Sequence, residues 1–216
     1  MEFKRASTRE QITQFLLERI LDGTYKPGER LIEMQIANEL NTSQAPVRES
    51  LRYLEAMRLV VTEPYKGTRV REVSNRELEE SSQVRVALEE LGAELAGQHM
   101  KGQVERLEIE ARLFMKAAKD KDVRAYSQHD IEFHRIIIEA SGNQLLLSIW
   151  ETVVLENRFL RTLNRIGKDQ LTEFGEAHLP VIDALRDGDG KKAAMLLNHL
   201  ICKFHFLKEP ESEVQK

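Results

Sequence analysis

The stretch Asn41-Thr42-Ser43-Gln44-Ala45-Pro46-Val47-Arg48-Glu49-Ser50-Leu51 constrains the fold more than any other segment of the chain. Its first residues read as a tight turn, and the rest as a helix that opens on a polar residue. Pro46 falls in the first turn, where a missing N–H costs nothing. Val47, Leu51 and Leu54 recur at helical spacing with the small Ser50 beside them, so one face is apolar. Ala45, Arg48 and Arg52 lie on the opposite arc, and Gln44 sits at the tip. A short helix with an apolar back and a basic front has the shape of a DNA recognition helix. An ordinary surface helix carrying two arginines has the same pattern, so the neighbouring segments must decide.

Upstream, Ile12, Phe15, Leu16 and Ile20 predict a helix over Thr8–Leu21, closed by Asp22-Gly23. Pro27-Gly28 marks a turn, and a second, shorter helix is expected over about Glu33–Leu40. Downstream, Leu59-Val60-Val61-Thr62 and Thr68-Arg69-Val70-Arg71 are β-rich runs on either side of Glu63-Pro64-Tyr65-Lys66-Gly67, which reads as a hairpin. Three helices and a hairpin in this order make a winged helix-turn-helix. Everything after Val73 reads as helical, in six amphipathic segments at about 75–100, 103–119, 122–141, 143–164, 169–187 and 189–208. The expected fold class is therefore mainly α. A winged helix-turn-helix DNA-binding domain spans residues 1–73, and an all-helical antiparallel bundle spans 74–216.

Composition narrows the function classes. No run of 18 apolar residues exists, which argues against a membrane span, and Met1-Glu2-Phe3-Lys4-Arg5 lacks the apolar stretch of a signal peptide. The single cysteine, Cys202, leaves no internal disulfide framework and suits a reducing cytoplasm. Net charge is −4, but residues 1–73 hold 12 Lys/Arg against 11 Asp/Glu while the remainder holds 20 against 25. Any contact with DNA must come from a local patch rather than from bulk charge.

The helical half carries a second constellation. Asp130 and His134, four residues apart, project from one helix face together with Phe133 and Ile137. His178 aligns with Leu171, Phe174, Ile182 and Leu185, and His199 shares a stripe with Met195, Leu196, Cys202 and Phe206. One carboxylate and three imidazoles thus fall on expected core-facing stripes of three helices. A buried carboxylate without a partner is costly, and convergence on a divalent cation removes that cost. Three nitrogens and one oxygen suit Zn²⁺, Ni²⁺, Mn²⁺ or Fe²⁺, with Zn²⁺ favoured; satisfied core histidines are the bland alternative. Arg85 is also expected to face inward, in line with Leu78, Leu88, Gly92 and Ala96. Its guanidinium wants either the carboxylate of Glu89, four residues on, or an anionic ligand.

Both halves resemble one family, the bacterial GntR-type transcription regulators of the FadR subfamily with an FCD ligand-binding domain. In the first half the resemblance rests on Ile20-Leu21-Asp22-Gly23, Lys26-Pro27-Gly28-Glu29-Arg30-Leu31, Ile36-Ala37-Asn38-Glu39-Leu40 and Ser43 to Leu51, with Lys66-Gly67-Thr68-Arg69-Val70 similar to the family's wing. In the second half it rests on Val84-Arg85-Val86-Ala87-Leu88-Glu89, on Asp130-Ile131-Glu132-Phe133-His134 with Ser141-Gly142-Asn143, on His178, and on His199-Leu200. Six helices look more like the VanR-type branch than the fatty-acid-responsive one. Two positions depart from the family: Arg58 stands where a glycine is usual before the first strand, and Gln44 where an arginine is frequent. A glutamine reads adenine where an arginine reads guanine.

The resemblance implies a cytoplasmic homodimer whose recognition helices bind a palindromic operator on double-stranded DNA. Arg48 would contact a base edge or phosphate, flanked by Ser43, Gln44 and Arg52, with Lys66 and Gly67 approaching from the wing. Asp130, His134, His178 and His199 would hold a divalent metal with open positions for a small carboxylate metabolite. Arg85 would be a second anchor, with Asn157 and Arg161 lining the effector pocket. The expectation is a transcription regulator, most simply a repressor, and not an enzyme. The alternatives are a metal-dependent hydrolase-type enzyme and a regulator with a purely structural metal.

Overall fold

In the computed structural model, residues 8–205 are described except 73 and 164–169, with the backbone alone at 75, 155–163, 204 and 205. The chain divides into two compact units, Met1–Asn75 with Leu155–Arg165 and Arg76–Val154 with Ile166–Lys216.

The first unit runs α1 (Thr8–Leu21), β1 (Arg30–Leu31), α2 (Glu33–Glu39), α3 (Gln44–Ala56), β2 (Val60–Glu63) and β3 (Gly67–Val70). Helix α3 packs on α1 and α2 through Val47, Leu51 and Leu54, which meet Ile12, Leu16, Ile20 and Ile36 in one core. The Ser50 hydroxyl donates to the carbonyls of Pro46 and Arg9, so the small residue on the apolar face also ties α3 to α1. The turn between α2 and α3 is built at Asn41, whose φ of 49° is left-handed. Thr42 N–H donates to Ala37 and Asn41 N–H to Asn38, the two bonds of a Schellman close. The hairpin pairs β2 with β3 antiparallel, from Val60 opposite Val70 to Glu63 opposite Gly67. A third strand without a sequence signal, β1, pairs with the other edge of β3, Arg30 opposite Arg69.

Arg58 shows why a glycine is usual at its position. It is the left-handed residue (φ 60°) that ends α3, with Arg58 N–H donating to Glu55 and Leu59 N–H to Leu54. A Cβ in this region is strained. Arg58→Gly is therefore expected to stabilise the folded chain by about 1 kcal/mol in chemical denaturation, the typical relief at a left-handed helix end. A loss of stability would show that the arginine side chain outweighs the backbone strain.

The second unit comprises α4 (Asn75–Ala96) from Arg76 on, α5 (Glu105–Lys119), α6 (Val123–Ala140), α7 (Gln144–Leu163) as far as Val154, α8 (Leu171–Glu176), α9 (Leu179–Arg186) and α10 (Gly190–His205). Five of the six expected segments correspond to single helices. The sixth, 169–187, is broken between α8 and α9, so the described residues hold seven helices here rather than the six that pointed to the VanR-type branch. Pro180 lies in the first turn of α9 and cannot donate to the carbonyl of Glu176, so one continuous helix is not available. Helix α5 packs on α6, α8 and α9 around Phe114, Tyr126, Phe133 and Leu171. Gly97 and Gly190 let the end of α4 meet the start of α10: a Cβ on Gly97 would lie 2.5 Å from the Gly190 nitrogen, and one on Gly190 2.6 Å from the Glu94 carbonyl.

Helix α6 is fixed at both ends. The Asp122 carboxylate caps it by accepting from Ala125 N–H at 3.0 Å. At its other end Gly142 (φ 71°) turns the chain, and Asn143 Oδ1 accepts from Leu146 N–H to start α7. That registry sets the azimuth of Asp130 and His134.

Candidate metal centre and DNA-binding surface

Asp130 and His134 rise from the buried face of α6, and His178 enters from the corner between α8 and α9; all three are buried. Their candidate ligand atoms lie within 4.8 Å of one another. His178 Nε2 stands 3.3 Å from His134 Nε2 and 3.2 Å from Asp130 Oδ1. The rings of Phe114 and Phe133 flank His178 with centroids at 5.0 and 5.1 Å, so the imidazole packs between apolar surfaces.

The opposite nitrogens decide what the Nε2 atoms present. His178 Nδ1 lies 2.7 Å from the Phe174 carbonyl, an acceptor only, so Nδ1 carries the proton. His134 Nδ1 lies 2.6 Å from Glu89 Oε2. Burial pushes the Glu89 carboxyl up, but the Arg85 guanidinium and His134 outweigh it and bring it down to about 2, so Glu89 is an anion and the His134 proton sits on Nδ1. Burial lowers the pKa of His134, against the pull of Glu89, so this ring is favoured neutral. In neutral rings both Nε2 atoms then direct lone pairs at each other and at a carboxylate oxygen. Such a convergence is repulsive without a cation, and imidazoles held from behind by a carboxylate or carbonyl are the usual arrangement at a metal. Asp130, His134 and His178 can hold a metal ion.

Glu89 was legible only as a partner for Arg85. In the structure it is a hub: Oε1 accepts from Arg85 Nε at 2.6 Å and from Trp150 Nε1 at 2.9 Å, while Oε2 faces His134. Arg85 and Glu89 are 2% and 1% exposed. The intramolecular carboxylate of Glu89 thus engages the Arg85 guanidinium. Removing one member of a buried pair strands the other charge.

His199 does not join the centre. Helix α10 buries Ala193, Ala194, Leu197, Leu200 and Ile201, and His199 is exposed. It is turned about 100° from Leu200 on the helix. The larger side chains Met195 and Leu196 suggested the wrong stripe: Met195 is 73% exposed, and two alanines make the contact instead. Asn157 and Arg161 lie outside the described side chains.

In the first unit, Ser43, Gln44, Arg48 and Arg52 are all exposed on one side of α3, away from its buried face. Ser43 is the N-cap by backbone conformation, without a side-chain cap bond. At the wing, Lys66 is exposed and pairs with Glu63 at 2.6 Å, and Gly67 has a φ of 84°. A Cβ on Gly67 would lie 3.3 Å from Arg30 Nε, so the third strand brings another cation beside the wing. Two further residues, Glu33 and Arg30, therefore belong to this surface without having stood out in the sequence; Glu33 accepts both Nε and Nη2 of Arg48.

Glu89→Ala is expected to cost about 3–5 kcal/mol in urea denaturation, because it removes the carboxylate that Arg85 Nε and Trp150 Nε1 share in a buried network. Unchanged stability would show that this pair does not hold α4 in place.

Comparison with known proteins agrees with both halves. Residues 8–70 match the family described as bacterial regulatory proteins, gntR family, and residues 80–202 match the FCD domain. The chain is 31% identical over 201 residues to a probable D-xylose utilization operon transcriptional repressor of Paenarthrobacter nicotinovorans, covering 93% of this chain and 88% of the relative. It is 27% identical to the gluconate operon transcriptional repressor of Bacillus licheniformis over 173 residues, 79% and 71% of the two chains. The solved structure of E. coli McbR/YncC has the same fold, with a TM-score of 0.80, 24% identity and coverage of 92% and 95%. Among the described residues no helix is long and apolar enough to cross a membrane. The chain belongs to the gntR family, with an FCD effector-binding domain, and is a DNA-binding transcription regulator.

Proposed function

We propose that this regulator is a repressor whose operator affinity is set by a small organic acid bound at a divalent metal on Asp130, His134 and His178. The observation that carries the reading is the mutual approach of two Nε2 lone pairs and a carboxylate in a buried site, each imidazole backed by its own acceptor. Two nitrogens and one oxygen suit Zn²⁺ first and Ni²⁺, Mn²⁺ or Fe²⁺ next. Three protein ligands leave positions that a carboxylate can occupy, and the metal's contribution is to draw that anion into an apolar site. Arg85 acts in this reading through Glu89, which it keeps ionised behind His134. The names of the relatives, repressors of xylose and gluconate operons, are in keeping with a sugar or sugar acid as the effector class. Asn157 and Arg161 remain pocket candidates on the family resemblance.

The operator-binding surface is Ser43, Gln44, Arg48 and Arg52 of α3 with Lys66 and Gly67 of the wing. The functional unit is a homodimer. Val84, Leu91 and Leu95 form an exposed apolar stripe along α4, 49%, 44% and 42% accessible, of the kind a second copy covers. Two such copies match the two half-sites of a palindrome. The effector shifts the operator equilibrium by binding the two states of the dimer unequally.

Protein purified without chelator is expected to carry about one divalent ion per chain. The double variant His134→Ala/His178→Ala should lose it and the effector response while still binding operator. His199→Ala should keep it. Full metal content in the double variant, measured by elemental analysis, would remove the site. Glu89→Gln should weaken metal binding by roughly 10–100-fold, the usual effect of losing the carboxylate behind a liganding histidine. Turnover of a candidate acid, instead of stoichiometric binding, would move the protein to the hydrolase-type alternative. A metal whose occupancy no acid alters, and no ligand that changes DNA affinity, would make it structural.

For the DNA surface, Arg48→Ala should cost about 1–3 kcal/mol of operator affinity and relax specificity, as loss of a base contact does.

A further inference from the structure

An acidic residue of α2 reaches the outward face of α3, where DNA would lie. Glu33, at the start of α2, meets Arg48 of α3: Arg48 Nε donates to Oε1 and Oε2 at 3.0 and 3.1 Å, and Nη2 to Oε2 at 2.7 Å. The two side chains are 54% and 27% exposed. Exposed ion pairs contribute little to stability, and a carboxylate beside a phosphate backbone opposes binding. A carboxylate in the first turn of α2 favours that helix end, but this does not call for its contact with Arg48, and bulk affinity does not either.

Geometry does. The guanidinium carries five donors in a rigid planar fork, and Glu33 takes the edge made by Nε and Nη2. The end formed by Nη1 and the second Nη2 hydrogen stays out of the pair. That end presents two parallel N–H groups, the pattern that fits O6 and N7 of guanine in the major groove. A long side chain held at one edge also loses less rotamer freedom on binding.

We propose that Glu33 is a positioning residue that holds Arg48 end-on for a guanine in each operator half-site, so that the pair sets specificity more than affinity. The inference rests on α3 being the recognition helix, as read above. Glu33 belongs to the readout machinery although it never touches a base. Its negative charge lowers non-specific attraction to DNA while its two oxygens fix the plane of the fork. Selectivity gains from both effects.

The test starts by selecting binding sites from random duplexes with the full-length protein, then measures Glu33→Gln and Arg48→Ala on the resulting operator and on unrelated duplex. Melting curves confirm that both variants are folded. Glu33→Gln should bind unrelated duplex as well as or better than the unchanged protein. Its ratio of specific to non-specific affinity should fall roughly 10-fold, with preference lost at one guanine per half-site. Replacing that guanine by 7-deazaguanine should weaken the unchanged protein and leave Arg48→Ala unaffected. If Arg48→Ala loses operator affinity but Glu33→Gln keeps both the ratio and the preference, the positioning role is overturned and the recognition helix stands. If Arg48→Ala itself binds operator normally, the reading of α3 fails, and this inference with it.

Discussion

A carboxylate buried at 1% exposure can persist only if its surroundings keep it charged and bonded, and most of the second unit is arranged to do so for Glu89. Arg85, one turn earlier on α4, supplies the countercharge, Trp150 of α7 a neutral donor, and His134 of α6 the third contact. Three helices are thereby pinned to one carboxyl group. Removing any donor leaves desolvated charge behind, so the network is held together by the cost of its own disruption more than by the sum of its bonds. Such an arrangement suits a metal site: with Glu89 beside His134 Nδ1, the opposite Nε2 lies toward His178.

Helix ends perform the same service for the rest of the site. The Asp122 cap and the Gly142 turn set the register of α6, so that Asp130 and His134 share its inner face. The break forced by Pro180 brings His178 to a corner instead of the middle of a helix, where its Nδ1 reaches back to Phe174. In the first unit, the left-handed residues Asn41 and Arg58 terminate α2 and α3. The first makes the short turn that sets the angle between those helices, and the second delivers the chain to β2.

Much of this was legible in the sequence because it follows from periodicity. The apolar spacing in α1 and α3, the Pro-Tyr-Lys-Gly tip of the wing, and the i, i+4 pair Asp130 and His134 each depend on local geometry alone. What was not legible depends on contacts between distant segments. Strand β1 is two residues long and exists only because β3 lies beside it. The 169–187 segment kept its apolar spacing across Pro180, so periodicity masked the break. His199 failed because a helix wheel ranks residues by size, whereas α10 meets its neighbours through Ala193 and Ala194, where small side chains permit close approach. Glu89 could be paired with Arg85 from spacing, but its reach to His134 and Trp150 spans three helices.

The two halves solve an orientation problem in the same way. A flexible or reorientable group, the Arg48 fork or the His134 ring, is gripped on its rear edge by a glutamate, Glu33 or Glu89, leaving the working edge presented. The energetics differ with the surroundings. Around Glu89 the medium is apolar, and the carboxylate needs Arg85 close by to remain ionised. Around Glu33 water screens the pair, so it adds little to stability and acts chiefly through geometry. A half-buried glutamate whose ion pair adds little to stability and which repels DNA is hard to explain by packing alone. Its place in the first turn of α2 suits a carboxylate, and orientation of its arginine is what the contact with Arg48 adds.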